Sequence, residues 1–142
     1  MNKLDLVKKG LEFIGVKGLA GESHNQTIID FFKISKFSGI KNDETAWCSA
    51  FMITVATLAG FPTSGSLMAR SWEKIGQNTI KPELGDIVVL WRESIESIYG
   101  HVGIFIAKNQ THVWILGGNQ DNEVNIKKFP LERVLQYRDI SK

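Results

Sequence analysis

One cysteine, three histidines and a few amide side chains are the residues of this chain that could carry covalent chemistry. A single thiol cannot close a disulfide within the chain, and a structural metal site normally needs several Cys or His ligands converging on one point. Cys48 is therefore either a small buried hydrophobe or a reactive sulfur. It stands in Trp47-Cys48-Ser49-Ala50-Phe51, where a polar stretch turns into an apolar helix. A thiol in the first turn of a helix faces unsatisfied backbone N–H groups and the positive end of the helix dipole, both of which favour the thiolate. The Cys48 amide is also a ready donor to an oxyanion formed at an attacked carbonyl. On these grounds Cys48 is expected to be a nucleophile with a lowered pKa that alkylates quickly even below neutral pH.

A thiol nucleophile needs a base held rigidly within reach and oriented by a third group. His101 fits best: Gly100 and Gly103 remove bulk around its ring, and Val102, Ile104 and Ile106 give the alternation of a strand anchored in a sheet. If Lys108 to Thr111 forms the turn of a hairpin, residues whose numbers sum to about 219 or 220 lie opposite one another. His101 then faces Gly118 or Asn119, and the Asn119 side-chain oxygen can accept the ring N–H and fix the tautomer. Gln120 is the substitute if the register slips by one. His112 falls near the turn, roughly 20 Å away at about 3.4 Å per strand residue, and cannot share this site. His24, in Gly21-Glu22-Ser23-His24-Asn25, is expected in a loop that caps a helix through Ser23 or Asn25. His24, His101 and a carboxylate such as Glu22 are the most that could meet around a zinc ion, so no metal and no cofactor is expected.

These side chains need a scaffold. At 142 residues, with 43% hydrophobic and 23% charged residues, the chain fits one domain over 1–142 with a core that needs no staples. A net charge of +2 with scattered lysines does not make a nucleic-acid footprint, although a mild excess of cations suits an anionic polymer. Charges from Lys3 to Lys17 interrupt the N-terminal stretch, so no secretory signal and no membrane span is expected. Helical spacing predicts helices over about 3–14 and 25–36 and a third from the Cys48 region to Gly60, with Asp43 or Thr45 as its N-cap. A short helix is expected within 66–75. After Pro82 the period becomes extended, with strands over 86–91, 101–107, 112–116 and 124–128 and a fifth candidate over 133–138. Helices first and an antiparallel meander second is an α+β arrangement. Of the four tryptophans, Trp47 and Trp114 lie on expected core elements and Trp72 and Trp91 lie beside loops. The loop-side pair, Trp72 and Trp91, are the cleft candidates, and Trp47, Trp72 and Gln120 are assigned as candidate substrate-binding residues.

Trp47-Cys48-Ser49-Ala50-Phe51, Pro82-Glu83-Leu84-Gly85-Asp86-Ile87-Val88, Gly100-His101-Val102-Gly103 and Gly117-Gly118-Asn119-Gln120 occur in an order that resembles the NlpC-like and CHAP cysteine amidohydrolases. Within that superfamily the chain looks most like a small single-domain group found among phage lysins and other bacterial wall-degrading proteins, with the likeness running from Gly15 to Arg138. Many NlpC-like members carry an aspartate before the nucleophile where this chain has Trp47, which moves the likeness toward the CHAP side. The resemblance implies a papain-like α+β fold, N-terminal helices packed on an antiparallel sheet of four to six strands. It also implies a catalytic set of Cys48, His101 and Asn119, with Asp86 as a turn residue.

The function so implied is hydrolysis of peptidoglycan amide bonds, as a cell-wall endopeptidase or amidase, through a thioester acyl-enzyme. Peptidoglycan would be the partner, without nucleic acid or membrane, and an immunity protein or delivery machinery would be the candidate protein partners of an expected monomer. Synthesis in the cytoplasm, followed by release or delivery to the wall, is the matching localisation. Two other classes compete: a wall-binding or adaptor domain without turnover, and a cytosolic cysteine hydrolase directed at proteins. The presence of all three catalytic residue types argues against the first.

Overall fold

The protein is described by a computed structural model, which covers residues 2–18, 26–35 and 47–142. Three helices precede the sheet: α1 (Leu4–Leu11), α2 (Gln26–Ile34) and α3 (Cys48–Leu58). A 3₁₀ helix, Ala69–Lys74, follows, and then come β1 (Gln77–Thr79), β2 (Ile87–Trp91), β3 (Gly100–Lys108), β4 (His112–Gly117), β5 (Asn125–Pro130) and β6 (Val134–Asp139). The proposed N-caps Asp43 and Thr45, and His24 with its loop, lie outside the described residues.

α3 is the central helix. Every residue from Cys48 to Ala56 is buried, and its apolar side chains share one core with Leu6 of α1, Phe31 and Phe32 of α2, and Val102, Ile104 and Leu116 of the sheet. Each large side chain so buried contributes roughly 1.5–3 kcal/mol. A helix that is apolar on all sides has no solvent face to give up, so the sequence drives it into the middle of the molecule. Phe13, Phe31 and Phe51 meet edge to face at centroid distances of 5.2 to 6.2 Å and lock the helices together.

The strands form a six-stranded antiparallel sheet in the order β1-β6-β2-β3-β4-β5. Ile87 and Val89 of β2 pack toward α3, whereas Val88 and Leu90 join Phe105, Val113, Ile115 and Phe129 in a second cluster on the opposite face. Burial on both faces explains why β2 reads as a continuous apolar run. The α+β arrangement, helices first and antiparallel meander second, is the one expected, with the fifth candidate strand present as β6. β1 was not foreseen: Gln77–Thr79 is three polar residues long and pairs only with β6 at the sheet edge.

α1 is tied to the sheet by charge. Lys3 Nζ lies 2.7 Å from Glu83, 2.8 Å from Asp86 and 3.1 Å from Asp139. Burial works against that ammonium, but its hydrogen bonds to the three carboxylates dominate and hold it above the usual lysine value. Asp86 also accepts the Glu83 backbone N–H at 2.7 Å, which accounts for the Gly-Asp turn before β2 and makes Asp86 structural.

Candidate active site

Cys48 is the first residue of α3, and Trp47 ahead of it supplies no capping hydrogen bond from its side chain. Among the described residues, none is shown capping the orphan N–H groups of the first turn with its side chain. The sulfur is approached by the backbone N–H groups of Val102, Ser49 and Cys48 itself. Ser49 anchors the helix start: its hydroxyl donates to the Ser66 carbonyl at 2.6 Å and accepts Trp72 Nε1–H at 2.8 Å.

The approach of Val102 brings β3 to the sulfur, and His101, the residue before it, lines the same cavity as Cys48. His101 is 7% exposed and lies against the Phe129 ring at a centroid distance of 5.2 Å. Its Nε2 is 2.9 Å from Gln120 Oε1. The orientation of that amide is determined by its other end, since Gln120 Nε2 donates to the carbonyls of Ile115 and Asn125, each at 3.0 Å. Two obligate acceptors there put the amide oxygen on the imidazole, so Nε2 of His101 must carry the proton and Nδ1 keeps its lone pair.

Close backbone approach makes this possible at two glycines. A Cβ on Gly117 would stand 2.5 Å from Gln120 Oε1, and one on Gly118 would stand 2.7 Å from the Trp47 ring and 2.8 Å from Phe51 Cβ. The β4–β5 loop thus presses directly on the start of α3. Cys48, His101, Asn119 and Gln120 together line a cavity of about 290 Å³, with Arg92, Asp121, Lys127, Phe129 and Arg133 as the remaining wall.

The family model of the CHAP domain matches residues 40–119, more than half of the 142 residues. The chain belongs to the CHAP domain family. CHAP domains are typically peptidoglycan hydrolase domains, amidases or peptidases in their chemistry. No curated protein matches the chain.

In this CHAP domain the partner of His101 is Gln120, one residue past the matched span, and not Asn119. The hairpin register was close: Ile104 pairs with Leu116 and Phe105 with Ile115, both summing to 220. β4 ends at Gly117, however, and the chain then enters left-handed conformations at Asn119 (φ 58°), Asp121 (φ 55°) and Asn122 (φ 60°). The turn takes Asn119 out of line with the strand and swings the Gln120 side chain, 2% exposed, back onto the imidazole.

Trp47 lies in the core, as its element led one to expect, and Trp72 lies there too, so neither fits the substrate-binding role assigned to both. Trp47 and Trp72 are both 0% exposed, Trp47 against Phe31 and Trp72 against Ser49, so neither has a surface to offer a substrate. His112 is the first residue of β4, next to the turn, bonded to Thr111 at 2.8 Å, and does not line the cavity. Among the described residues no group of Cys, His and carboxylates is arranged to hold a metal ion.

The electrostatics also differ from the expectation. Burial pushes the Cys48 thiol up from its ordinary value, outweighing the three N–H groups and the Arg92 charge that pull it down. Burial likewise drives His101 down to about 4, against its bond to Gln120 and with the charges of Arg133, Arg92 and Lys127 adding to the effect. Burial thus favours the uncharged form of both groups, the thiol over the thiolate and the imidazole over the imidazolium.

None of the cationic wall residues carried a motif in the sequence. Arg133 binds the Trp91 carbonyl through Nε and Nη2 at 3.2 and 3.1 Å, with the Trp91 and Phe129 rings 5.8 and 5.6 Å from its guanidinium carbon. Lys127 pairs with Asp121 at 2.8 Å.

Proposed function

We propose that this CHAP domain hydrolyses amide bonds of peptidoglycan, as a cell-wall endopeptidase or amidase, with Cys48 as nucleophile, His101 as base and Gln120 as the group that orients His101. The observation that carries the reading is the shared cavity of Cys48 and His101, with the imidazole held by Gln120 in the tautomer whose Nδ1 is free to take a proton. Asn119, in the wall of the same cavity, is assigned a contact with substrate rather than with His101.

In the first half-reaction the thiol proton moves to His101 Nδ1 as sulfur attacks the carbonyl carbon. The oxyanion is held by the N–H groups at the start of α3, that of Cys48 among them. The imidazolium then gives its proton to the departing amine, the C–N bond breaks, and a thioester on Cys48 remains. Water attacks the thioester with His101 again as base, and the acid product leaves with the thiol restored. Because burial favours the uncharged form of both groups, His101 is assigned the role of general base in the attack.

The site of action is the cell wall, reached after release or delivery. Incubating wild type, Cys48→Ala and His101→Ala with purified peptidoglycan, and analysing the soluble fragments by mass spectrometry, tests the reading. New amine termini from wild type and none from either variant are expected. No release by wild type, with binding to the insoluble wall retained, would point to a non-catalytic wall-binding domain.

A further inference from the structure

A second cavity, of about 170 Å³, opens on the other side of Cys48 and is lined by Leu67, Met68, Ile98 and Tyr99, with Arg92 common to both. Cys48 and Arg92 are the only residues shared by the two walls, so a chain laid across the nucleophile passes Arg92. The two sides differ in character. The second cavity is apolar, while the wall beyond His101 sets Arg92, Lys127 and Arg133 against one carboxylate, Asp121, which is already paired with Lys127.

Arg92 is exposed, and its guanidinium makes no hydrogen bond or ion pair with any described residue, whereas Arg133 is already fixed by Trp91. An exposed arginine needs no partner, but one at the junction of two cavities, beside the nucleophile, offers a planar fork that fits a carboxylate in two parallel hydrogen bonds. We infer that Arg92, backed by Arg133, receives a free carboxylate of the substrate on the His101 side of the scissile amide, and so selects acidic over amidated stem peptides. Small apolar side chains of the same substrate occupy the cavity on the Met68 and Ile98 side.

The inference relies on the peptidoglycan reading for its choice of probe, and its test does not need turnover. Cys48→Ala protein would be titrated, by calorimetry or NMR, with a synthetic stem tetrapeptide of alanine, isoglutamate, lysine and alanine. Four forms are compared: both carboxylates free, the internal one amidated, the terminal one amidated, and both amidated. The fully free form is expected to bind roughly 10- to 100-fold more tightly than the doubly amidated one, the range of a bidentate charge-assisted contact. The singly amidated forms report which carboxylate is used. Arg92→Gln in the same background should collapse that ratio to within about 2-fold, Arg92→Lys should keep part of it, and added salt should shrink it. Equal affinity for free and doubly amidated peptides, absence of binding by any of them, or a preference that survives Arg92→Gln would overturn the assignment. Should the preference hold while wild type releases nothing from peptidoglycan, the carboxylate site stands and the hydrolase reading fails.

Discussion

Replacing Gln120 with leucine keeps most of the side-chain volume and removes every hydrogen bond around His101 Nε2. The amide accepts from the imidazole at 2.9 Å and donates to the Ile115 and Asn125 carbonyls at 3.0 Å, in a side chain 2% exposed. In the proposed turnover the imidazole becomes an imidazolium, and a hydrogen bond to a charged group contributes about 1.5–3 kcal/mol. At about 1.4 kcal/mol per decade, Gln120→Leu should lower kcat by roughly 10- to 150-fold. Leaving Nε2–H and two carbonyls short of partners should also cost about 2–5 kcal/mol of stability, readable as a lowered urea midpoint. The comparison is Asn119→Gly, which suits the left-handed backbone at φ 58° and tests the other amide of the pair. If Gln120 orients His101, the kcat of Asn119→Gly should exceed that of Gln120→Leu by at least about 5-fold when both are assayed as folded protein for amine release from peptidoglycan. A larger kcat loss in Asn119→Gly than in Gln120→Leu would refute the reasoning and return the orienting role to Asn119.

The thiol of Cys48, pushed up by burial, should alkylate slowly at neutral pH, with the iodoacetamide rate still rising above the ordinary thiol range; a rate that plateaus below neutral pH would reveal a thiolate instead. His101 is neutral when folded down to about 4 but takes a proton near its ordinary value of 6.5 when unfolded. The unfolded chain therefore binds more protons between those values, and stability is expected to fall by roughly 3 kcal/mol as pH drops through that window, a loss that His101→Phe should abolish in urea melts. Lys3→Met strands Asp86, whose side chain is 1% exposed, and should cost about 3 kcal/mol by thermal or urea unfolding. Gly118→Ala forces a methyl into the Trp47 ring and Phe51, and an overpacking cost of about 1–3 kcal/mol should accompany a drop in kcat as α3 shifts at its start.

Periodicity carried much of the fold. The all-round apolar run Phe51 to Ala59 announced a central helix, and the β-branched runs after Pro82 announced the meander, because burial leaves its pattern in residue type. β1 left no such pattern: three polar edge residues held by one ladder look like a loop. That Cys48 and His101 would line one cavity was legible from residue type, flanking glycines and position. The choice between Asn119 and Gln120 was not, since it depends on left-handed turns that a register sum cannot anticipate. Trp72 misled because closeness to a loop says nothing of the direction an indole points, and Trp47 is buried as its core element implied, which leaves it no substrate-binding surface. The thiol pKa was misjudged for a related reason: the helix start was visible in the sequence, but the burial that outweighs it comes from elements far away along the chain. Arg92 and Arg133 had no signature at all, being ordinary arginines until β2 and the segment before β6 bring them to one cavity.

The central claim is that Cys48 sulfur forms a covalent acyl intermediate whose hydrolysis depends on His101. Acid-quenching a reaction with soluble peptidoglycan fragments, followed by intact-mass measurement and peptide mapping, tests it most directly. An acyl adduct on Cys48 that hydroxylamine removes is the expected result. Continued amide hydrolysis by Cys48→Ala, or an acyl group mapped to any other residue, would contradict the account.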